Sequence, residues 1–253
     1  MSGIPLQSGI IYGPILSRRL GRSLGVNLLP TNRKICSFDC LYCQYGPEKP
    51  FEVLEKYANF PTVDEVLEAV RYAFKKPRTI EYLTFSGNGE PTLHPDFEEI
   101  VQRVVLLRNE LRPDTKLAIL SNASQIVEPK ILLAIQNYDT PMMKLDAGDE
   151  VTFNIINRPT ENVHFSEIVS GLKKLPNLMI QSMLLDGDES NTRGDAFLAW
   201  KNLLVELQPK LIHIYTITRP TAYNGINAVS FSRLKEIAHD LNSSYGLNVI
   251  AFD

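Results

Sequence analysis

Short β-rich apolar runs alternate along this chain with segments that have the period of amphipathic helices. Six such runs are found, at Leu24–Leu29, Ile80–Phe85, Leu117–Leu120, Met142–Leu145, Leu178–Leu185 and Leu211–Ile217. After the first gap their starts are roughly 25 to 37 residues apart, about the length of one strand–helix unit in a parallel sheet. The alternation therefore predicts an α/β fold with a parallel sheet and flanking helices, and chemistry at the carboxyl ends of the strands.

Six helices are predicted, so that each run is followed by one helix. Thr62 and Glu65 have the spacing of a capping box, and Ser230 can cap the last helix. Pro95 and Pro129 can each occupy a first helical position. Periodicity alone allows the sheet to lie open or to close partly into a barrel. We expect a partial (βα)6 TIM-like barrel in one domain, 1–253, with an N-terminal extension over 1–22 and a short strand or plug at 247–253.

Composition places the chain among ordinary globular proteins. Of its 253 residues 44% are hydrophobic and 22% charged, and the formal net charge is -3. No global basic field would attract a polyanion, which argues mildly against a nucleic-acid substrate. The sequence contains neither a run of about 18 apolar residues nor the pattern of a signal peptide. The expected location is the cytoplasm, with no membrane partner.

All three cysteines lie within one eight-residue segment, as Cys36, Cys40 and Cys43. An odd, clustered set is a poor disulfide framework and a good metal framework. This spacing lets a short loop wrap one face of an iron–sulfur cube, with each thiolate on a different iron. The fourth iron then stays open to a small molecule.

Two alternative uses of these thiols fit the pattern less well than a cluster. A Cys3His zinc site needs a nearby histidine, and the histidines of the chain lie outside the segment, at His94, His164, His213 and His239. A redox pair of Cys40 and Cys43 leaves Cys36 without a role.

The Cys-x3-Cys-x2-Cys loop, with Tyr42 before its last cysteine, resembles the signature of the radical S-adenosylmethionine (SAM) superfamily. The resemblance implies that Cys36, Cys40 and Cys43 are the metal ligands and catalytic residues of one [4Fe-4S] cluster. It also implies that the open iron chelates the methionine part of SAM, and that reductive cleavage yields a 5'-deoxyadenosyl radical. The backbone at Tyr42 would lie beside the adenine.

A glycine-rich turn, Gly87-Asn88-Gly89-Glu90-Pro91, follows the second run. Its glycines permit positive φ and close approach of backbone carbonyls to a ligand, and Glu90 adds a carboxylate. On its own the pattern also fits a plain strand-to-helix turn. It resembles the superfamily's Gly-Gly-Glu-Pro motif, which holds the amino group of SAM, with Asn88 in place of a glycine.

Polar residues at the ends of later strands are the remaining candidates. By the same resemblance, Ser121, Asn122, Lys144 and Gln181 would bind the ribose or carboxylate of SAM. Ordinary loop capping is the alternative for each. Lys144 and Gln181 are preferred, because a buried polar group needs a partner.

Four flanking segments resemble bacterial radical proteins grouped with the wyosine-type tRNA-modifying enzymes: Tyr12–Gly25, Lys144–Asp149, Asn157–Thr160 and Arg219–Pro220. The wyosine enzymes that build the tricyclic base hold a second cluster with further cysteines, which this sequence lacks. The leading hypothesis is therefore a radical enzyme acting on a nucleic-acid base or a related molecule, with a tRNA base as one candidate. The alternatives are a glycyl-radical-type activase of a partner protein and a non-catalytic iron–sulfur or zinc protein. A flavodoxin or ferredoxin is the expected electron donor.

Overall fold

The structure, a computed structural model, describes residues 4–47, 59–219, 221 and 223–253. The chain divides into two compact units. Of the described residues, the N-terminal unit comprises 5–37 and 59–141, and the C-terminal unit comprises Ile4 and the described residues of 38–47 and 142–253. Pro220, which belongs to one of the segments of the family resemblance, lies outside the described residues.

The N-terminal unit contains a four-stranded sheet in the order β1-β2-β3-β4. Its strands are β1 (Ile11–Ser17), β2 (Gly21–Val26), β3 (Tyr82–Phe85) and β4 (Lys116–Ser121). Its helices are α1 (Val63–Phe74), α2 (Phe97–Leu111) and α3 (Pro129–Ile135), and a 3-10 turn spans Pro91–Leu93. β1 pairs antiparallel with β2, whereas β2, β3 and β4 are parallel.

The register of β2 and β3 explains where the loops of this unit begin. Ser23 pairs with Tyr82 and Val26 with Phe85, so the two strands end level with each other. The segment that leads to Cys36 and the glycine-rich turn therefore both start at one edge of the sheet. Apolar side chains on β3, β4, α1 and α2 form the core, with Leu83, Phe97, Ile100 and Val66 fully buried.

The C-terminal unit contains strands in the order β5-β6-β8-β10, and a separate antiparallel pair, β7 with β9. The strands are β5 (Thr140–Lys144, whose last three residues belong to this unit), β6 (Met179–Met183), β7 (Leu185–Gly187), β8 (Leu211–Tyr215), β9 (Ile226–Ala228) and β10 (Val249–Ala251). The helices are α4 (Glu150–Ile156), α5 (Phe165–Leu172), α6 (Gly194–Leu207) and α7 (Phe231–Tyr245). β5, β6, β8 and β10 are parallel.

The six apolar runs overlap β2, β3, β4, β5, β6 and β8, so the strand pattern read from the sequence is present. One helix start was wrong: α2 begins at Phe97 after Asp96, and Pro95 precedes the helix. Three features were missed. β1 lies within the segment taken as an extension, α4 follows β5 directly, and β7 pairs with β9. The short strand β10 lies within 247–253.

Thr62→Ala is expected to lower the free energy of unfolding by about 1 kcal/mol. The predicted capping box is present, because the Thr62 hydroxyl accepts from the Glu65 amide and the Glu65 carboxylate accepts from the Thr62 amide. Urea denaturation measures the change. Thr160→Ala, outside any helix cap, is the control, and equal stability of wild type and Thr62→Ala would contradict the estimate.

Within the described part of the chain, none of the helices has the length and apolar character needed to cross a membrane.

Candidate active site

Cys36 lies beside the glycine-rich turn in the N-terminal unit. The preceding residue, Ile35, forms a parallel bridge with Gly89. Its amide donates to the carbonyl of Asn88 at 2.9 Å, and its carbonyl accepts from the amide of Glu90 at 3.0 Å. Two backbone hydrogen bonds thus fix the start of the cysteine loop against the turn.

The two glycines of the turn have conformations that other residues rarely adopt. Gly87 has φ +140° and Gly89 has φ +136°. A Cβ atom on Gly87 would lie 2.4 Å from Oδ1 of Asn27, and one on Gly89 would lie 1.7 Å from the carbonyl oxygen of Ile35. Both glycines are therefore required by φ and by the close approach of neighbouring residues.

Asn88 replaces a glycine of the family motif at a position that tolerates a side chain. It is not among the residues with positive φ. Its side-chain amide donates to the carbonyls of Gln7 and Pro30 at 3.0 and 2.9 Å, and its backbone amide donates to Asn27. The side chain therefore braces the turn, and the predicted contact of this segment with SAM would come from backbone atoms.

Glu90 ties the turn to the carboxyl end of β4. Its carboxylate is buried and accepts from the Thr92 amide (3.1 Å), the Thr92 hydroxyl (2.7 Å), the Ser121 hydroxyl (2.8 Å) and the Asn122 amide (2.5 Å). Burial raises the pKa of Glu90 and these hydrogen bonds lower it. The effect of burial is the larger, so the pKa lies above its usual value. Pro91 begins the 3-10 turn and is buried.

Asn122 extends this network to the cysteine loop. Its Nδ2 atom lies 2.9 Å from the Ser37 hydroxyl and 3.6 Å from Sγ of Cys36. Its Oδ1 atom accepts from the Ser124 amide, and the residue is 6% exposed. Two of the residues predicted to bind SAM, Ser121 and Asn122, thus make their hydrogen bonds to Glu90 and the cysteine loop.

Glu90→Ala is expected to retain iron and to weaken SAM binding about tenfold or more, which corresponds to a loss of ~1.4 kcal/mol of binding free energy. The variant leaves the Thr92, Ser121 and Asn122 donors without their acceptor and so loosens the turn. Isothermal titration of the reconstituted protein measures the dissociation constant.

Asp139→Ala is the control for Glu90→Ala. Asp139 accepts from the Leu117 amide at 2.7 Å, at the opposite end of β4. It should lose stability and keep the affinity for SAM. Equal affinity in wild type and Glu90→Ala would leave Glu90 with a structural role only.

In the C-terminal unit, the segment that carries Cys40 and Cys43 is held by the end of α4. The Asp39 amide donates to the carbonyls of Asn157 and Arg158, and the Leu41 amide donates to Ile156 at 3.0 Å. Phe38 and Pro159 form an antiparallel bridge. The Cys43 amide donates to the Cys40 carbonyl at 2.9 Å, which closes a turn between the two cysteines.

Asp146, which follows β5, is the centre of a buried polar network. One carboxylate oxygen accepts from the Tyr42 hydroxyl and from Nδ2 of Asn157, the latter at 2.7 Å. The other accepts from the Met183 amide at 2.8 Å. Burial, and after it the charge of Asp146, raises the pKa of Tyr42 well above its usual value, so this phenol is a proton donor at neutral pH.

Lys144 lies next to the same network. Its ammonium group is 3.7 Å from Asp146, 3.3 Å from the Tyr215 hydroxyl and 5.0 Å from the centre of the Tyr42 ring. Burial lowers the pKa of Lys144, but Asp146 and the other neighbours raise it above its usual value. Lys144 is therefore a fixed cation, suited to binding an anionic group. Gln181 pairs with Lys144 in the sheet and donates to the Met142 carbonyl.

Burial raises the pKa of the Cys40 thiol to about 11, against the lowering effect of Lys144. The free thiol is therefore neutral at pH 7. Thiolate is the metal-binding form, so metal uptake at Cys40 must release a proton. The amide of Asn157 lies 3.5 Å from this sulfur.

Asn157 was not among the residues predicted for the site, although it begins a segment of the family resemblance. Tyr223 was missed as well; its hydroxyl donates to Asp39 at 2.5 Å, and the Arg158 guanidinium lies 4.3 Å from the centre of its ring. Among the residues that the structure describes, no group of three or more His, Cys, Asp or Glu side chains is arranged around a single metal ion. The thiolates of a cube bind separate irons.

Residues 34–188, more than half of the chain, match the family model of the radical SAM superfamily. The chain belongs to the radical SAM superfamily. The match begins two residues before Cys36 and extends beyond β7, so it includes the cysteine loop and the glycine-rich turn. The chain is thus an enzyme of this superfamily, which implies SAM and an iron–sulfur cluster as cofactors.

Three curated relatives are similar to this radical SAM protein. UPF0026 protein MJ1312 of Methanocaldococcus jannaschii is 32% identical over 95% of this chain and 74% of its own length. A UPF0026 protein of Helicobacter pylori is 31% identical over 85% of this chain and 68% of its own. A protein of Brachyspira hyodysenteriae named GTPase Obg is 28% identical over 91% of this chain, which spans a third (33%) of that protein.

Solved structures share the fold. TYW1 with a bound lysine-pyruvate adduct has a TM-score of 0.64 and 14% identity, over 90% of this chain and 76% of that one. SuiB of Streptococcus suis bound to SAM has a TM-score of 0.64 and 15% identity, over 90% of this chain and 50% of that one. These similarities confirm the predicted fold class, that of the partial TIM-like barrel of radical SAM enzymes.

Proposed function

We propose that this chain holds one [4Fe-4S] cluster through Cys36, Cys40 and Cys43 and cleaves SAM reductively. When bound, the cluster supplies the electron that converts SAM into methionine and a 5'-deoxyadenosyl radical, which abstracts hydrogen from the substrate. The observation that carries the proposal is the bridge between Ile35 and Gly89, which sets Cys36 beside the turn of Gly87–Pro91. The sulfur of Cys36, a proposed cluster ligand, thus lies in the same local structure as the backbone that would bind the amino group of SAM.

The surroundings of Cys40 fit a thiolate-bound cluster, while Cys36 and Cys43 are partly exposed. Phe38 and Leu41 are 2% and 3% exposed, and Cys40 is buried. Dry surroundings exclude water and oxygen from such a site and tune its potential. The amides of Asn122 and Asn157 point at Cys36 and Cys40 and would stabilise their negative charge.

The other residues of the site bind and orient. Backbone carbonyls of the turn would accept hydrogen bonds from the amino group of SAM, and Glu90 keeps that turn on β4. The Tyr42 backbone would lie along the adenine, while its hydroxyl stays bound to Asp146. Lys144, fixed by Asp146 and Tyr215, would bind an anionic group such as a carboxylate or phosphate.

A tRNA base is the substrate that we propose first. Support comes from the similarity in fold to TYW1 and from the flanking segments, which resemble bacterial radical proteins grouped with the wyosine-type enzymes. With three cysteines in the chain there is no second set to ligate another cluster, so the product would differ from the tricyclic wyosine base. A flavodoxin or ferredoxin is proposed as the electron donor.

Activation of a partner protein by hydrogen abstraction from a glycyl residue is the second candidate. A domain of the pyruvate-formate lyase-activating enzyme from Bacteroides vulgatus has a TM-score of 0.50 and 16% identity, over 67% of this chain and 98% of that domain. Such an enzyme would need the same cluster and the same SAM site.

An anaerobic assay tests the proposal. The protein is reconstituted with iron and sulfide, reduced with dithionite and given SAM, and 5'-deoxyadenosine is measured. We expect about four irons per chain and SAM-dependent 5'-deoxyadenosine. Bound zinc without iron, or an iron–sulfur protein that does not cleave SAM, would overturn it. Deuterium transfer into 5'-deoxyadenosine from labelled tRNA, or from labelled candidate proteins, then distinguishes the two substrates.

A further inference from the structure

Two buried asparagines direct a side-chain amide at a cysteine sulfur. In the N-terminal unit, Nδ2 of Asn122 is 3.6 Å from Sγ of Cys36. In the C-terminal unit, Nδ2 of Asn157 is 3.5 Å from Sγ of Cys40. An N–H group that points at a thiolate disperses its negative charge, and hydrogen bonds to the sulfurs are one of the factors that set the potential of iron–sulfur clusters.

The amide of Asn122 has a proton available for the sulfur. Nδ2 carries two protons and has two acceptors within reach, the Ser37 hydroxyl at 2.9 Å and Sγ of Cys36 at 3.6 Å. The group cannot rotate away, because Oδ1 accepts from the Ser124 amide and the backbone amide donates to Glu90. With 6% of the residue exposed, water has little access to take its place.

Asn157 is fixed in a comparable way. One Nδ2 proton goes to Asp146 at 2.7 Å. For the other proton, Nδ2 has Sγ of Cys40 within 3.5 Å and the Tyr42 oxygen within 3.4 Å. Tyr42 donates its own proton to Asp146, so its oxygen competes only as an acceptor. The residue ends α4, its carbonyl accepts from Asp39, and it is 1% exposed.

We propose that Asn122 and Asn157 each donate a hydrogen bond to a ligand sulfur of the iron–sulfur cluster and thereby raise its reduction potential. This inference rests on the proposed function, in which Cys36 and Cys40 bind the same cluster. One-electron reduction adds negative charge to the cluster and its thiolates. A donor aimed at a sulfur therefore stabilises the reduced form more than the oxidised form, which makes the cluster easier for an electron donor to reduce.

The test compares reduction midpoints in the absence of SAM. Asn122→Leu and Asn157→Leu keep the approximate volume of the side chain and remove its donor. Each is expected to retain the cluster and to shift the midpoint to a more negative value in a titration followed by electron paramagnetic resonance. The double variant should shift further than either single variant, since the amides contact different sulfurs. Asn122→Ala and Asn157→Ala give the same readout if a leucine variant fails to fold.

Asn242→Leu is the matched control. Its side chain bonds only Val249 among the contacts observed, through one donated and one accepted hydrogen bond at the junction of α7 and β10. The midpoint of this variant should equal that of wild type. Unchanged midpoints in both sulfur-directed variants, or an equal shift in Asn242→Leu, would overturn the inference. Absence of a four-iron cluster from the wild-type protein would instead overturn the proposed function.

Discussion

Cys36→Ala, Cys40→Ala and Cys43→Ala are each expected to abolish the brown colour of the reconstituted protein and to reduce SAM cleavage to background. Each variant removes one of three thiolates, and the chain contains no other cysteine that could replace it. A metal–thiolate bond also requires the cysteine thiol that forms it to lose its proton. Burial raises the pKa of the Cys40 thiol to about 11, so binding of a metal to this sulfur at neutral pH must displace its proton. Loss of one ligand should therefore lower the occupancy of the whole cluster.

Loss of the cluster is measured by iron and sulfide content and by the thiolate-to-iron charge-transfer absorbance. Loss of SAM cleavage is measured by 5'-deoxyadenosine formation. Ser37→Ala is the matched control within the same loop. Ser37 bonds the Ser124 hydroxyl at 2.6 Å and accepts from Asn122, so its loss loosens the loop without removing a sulfur. It should retain the cluster. Full SAM cleavage by any one of the three cysteine variants would remove that residue from the ligand set.

The sequence was most informative where chemistry depends on local spacing. Cys36, Cys40 and Cys43 are recognisable as proposed ligands because a short loop would have to present three thiolates to one cluster, and that spacing is visible without a fold. The strands of the parallel sheet were found for a similar reason, because buried strands are continuous apolar runs. The capping box at Thr62 is also a purely local signal.

Contacts between residues far apart in the sequence could not be predicted from local spacing. Asn157 lies 117 residues from Cys40 along the chain, so its contact with that sulfur depends on the tertiary fold. The contacts of the Asn122 amide with Cys36 and Ser37 were not predicted either, and its binding to SAM stays a prediction. β1 was missed because Gly13 and Pro14, both residues that strands disfavour, interrupt it.

Asn88 stands where the family motif has a glycine, and the backbone conformation of the turn explains why only this position accepts another residue. φ is positive at Gly87 and Gly89 and not at Asn88. The middle position therefore accepts a side chain, and that side chain adds hydrogen bonds to Gln7 and Pro30. Gly87 and Gly89 cannot accept a side chain in this way, so a substitution at either position should be strongly destabilising.

Gly89→Ala is expected to be the most damaging single substitution in the turn. A Cβ atom there would lie 1.7 Å from the Ile35 carbonyl oxygen and 2.5 Å from its carbonyl carbon. Both are backbone atoms, so no side chain can move aside to make room. The φ of +136° also lies well beyond the left-handed region near +50° to +70° that alanine can enter at a cost. We expect a loss of about 3 kcal/mol or more from strain and overpacking together.

The expected local result of Gly89→Ala is separation of Ile35 from the turn. The hydrogen bonds of Ile35 with Asn88 and Glu90 must break or stretch to relieve the clash, and Cys36 moves with them. Denaturant unfolding, iron content and the dissociation constant for SAM should therefore all change together.

Gly246→Ala separates the cost of φ from the cost of the clash. Gly246 has φ +66° and ends α7, and a Cβ atom on it would meet no other atom of the described residues within 4 Å. It should lose roughly 1 kcal/mol, as expected for alanine in the left-handed region, and bind the cluster and SAM as wild type does. If Gly89→Ala were no less stable than Gly246→Ala and bound SAM normally, the close contact between the cysteine loop and the turn would not exist in solution, and the proposed place of Cys36 beside the SAM-binding backbone would be wrong.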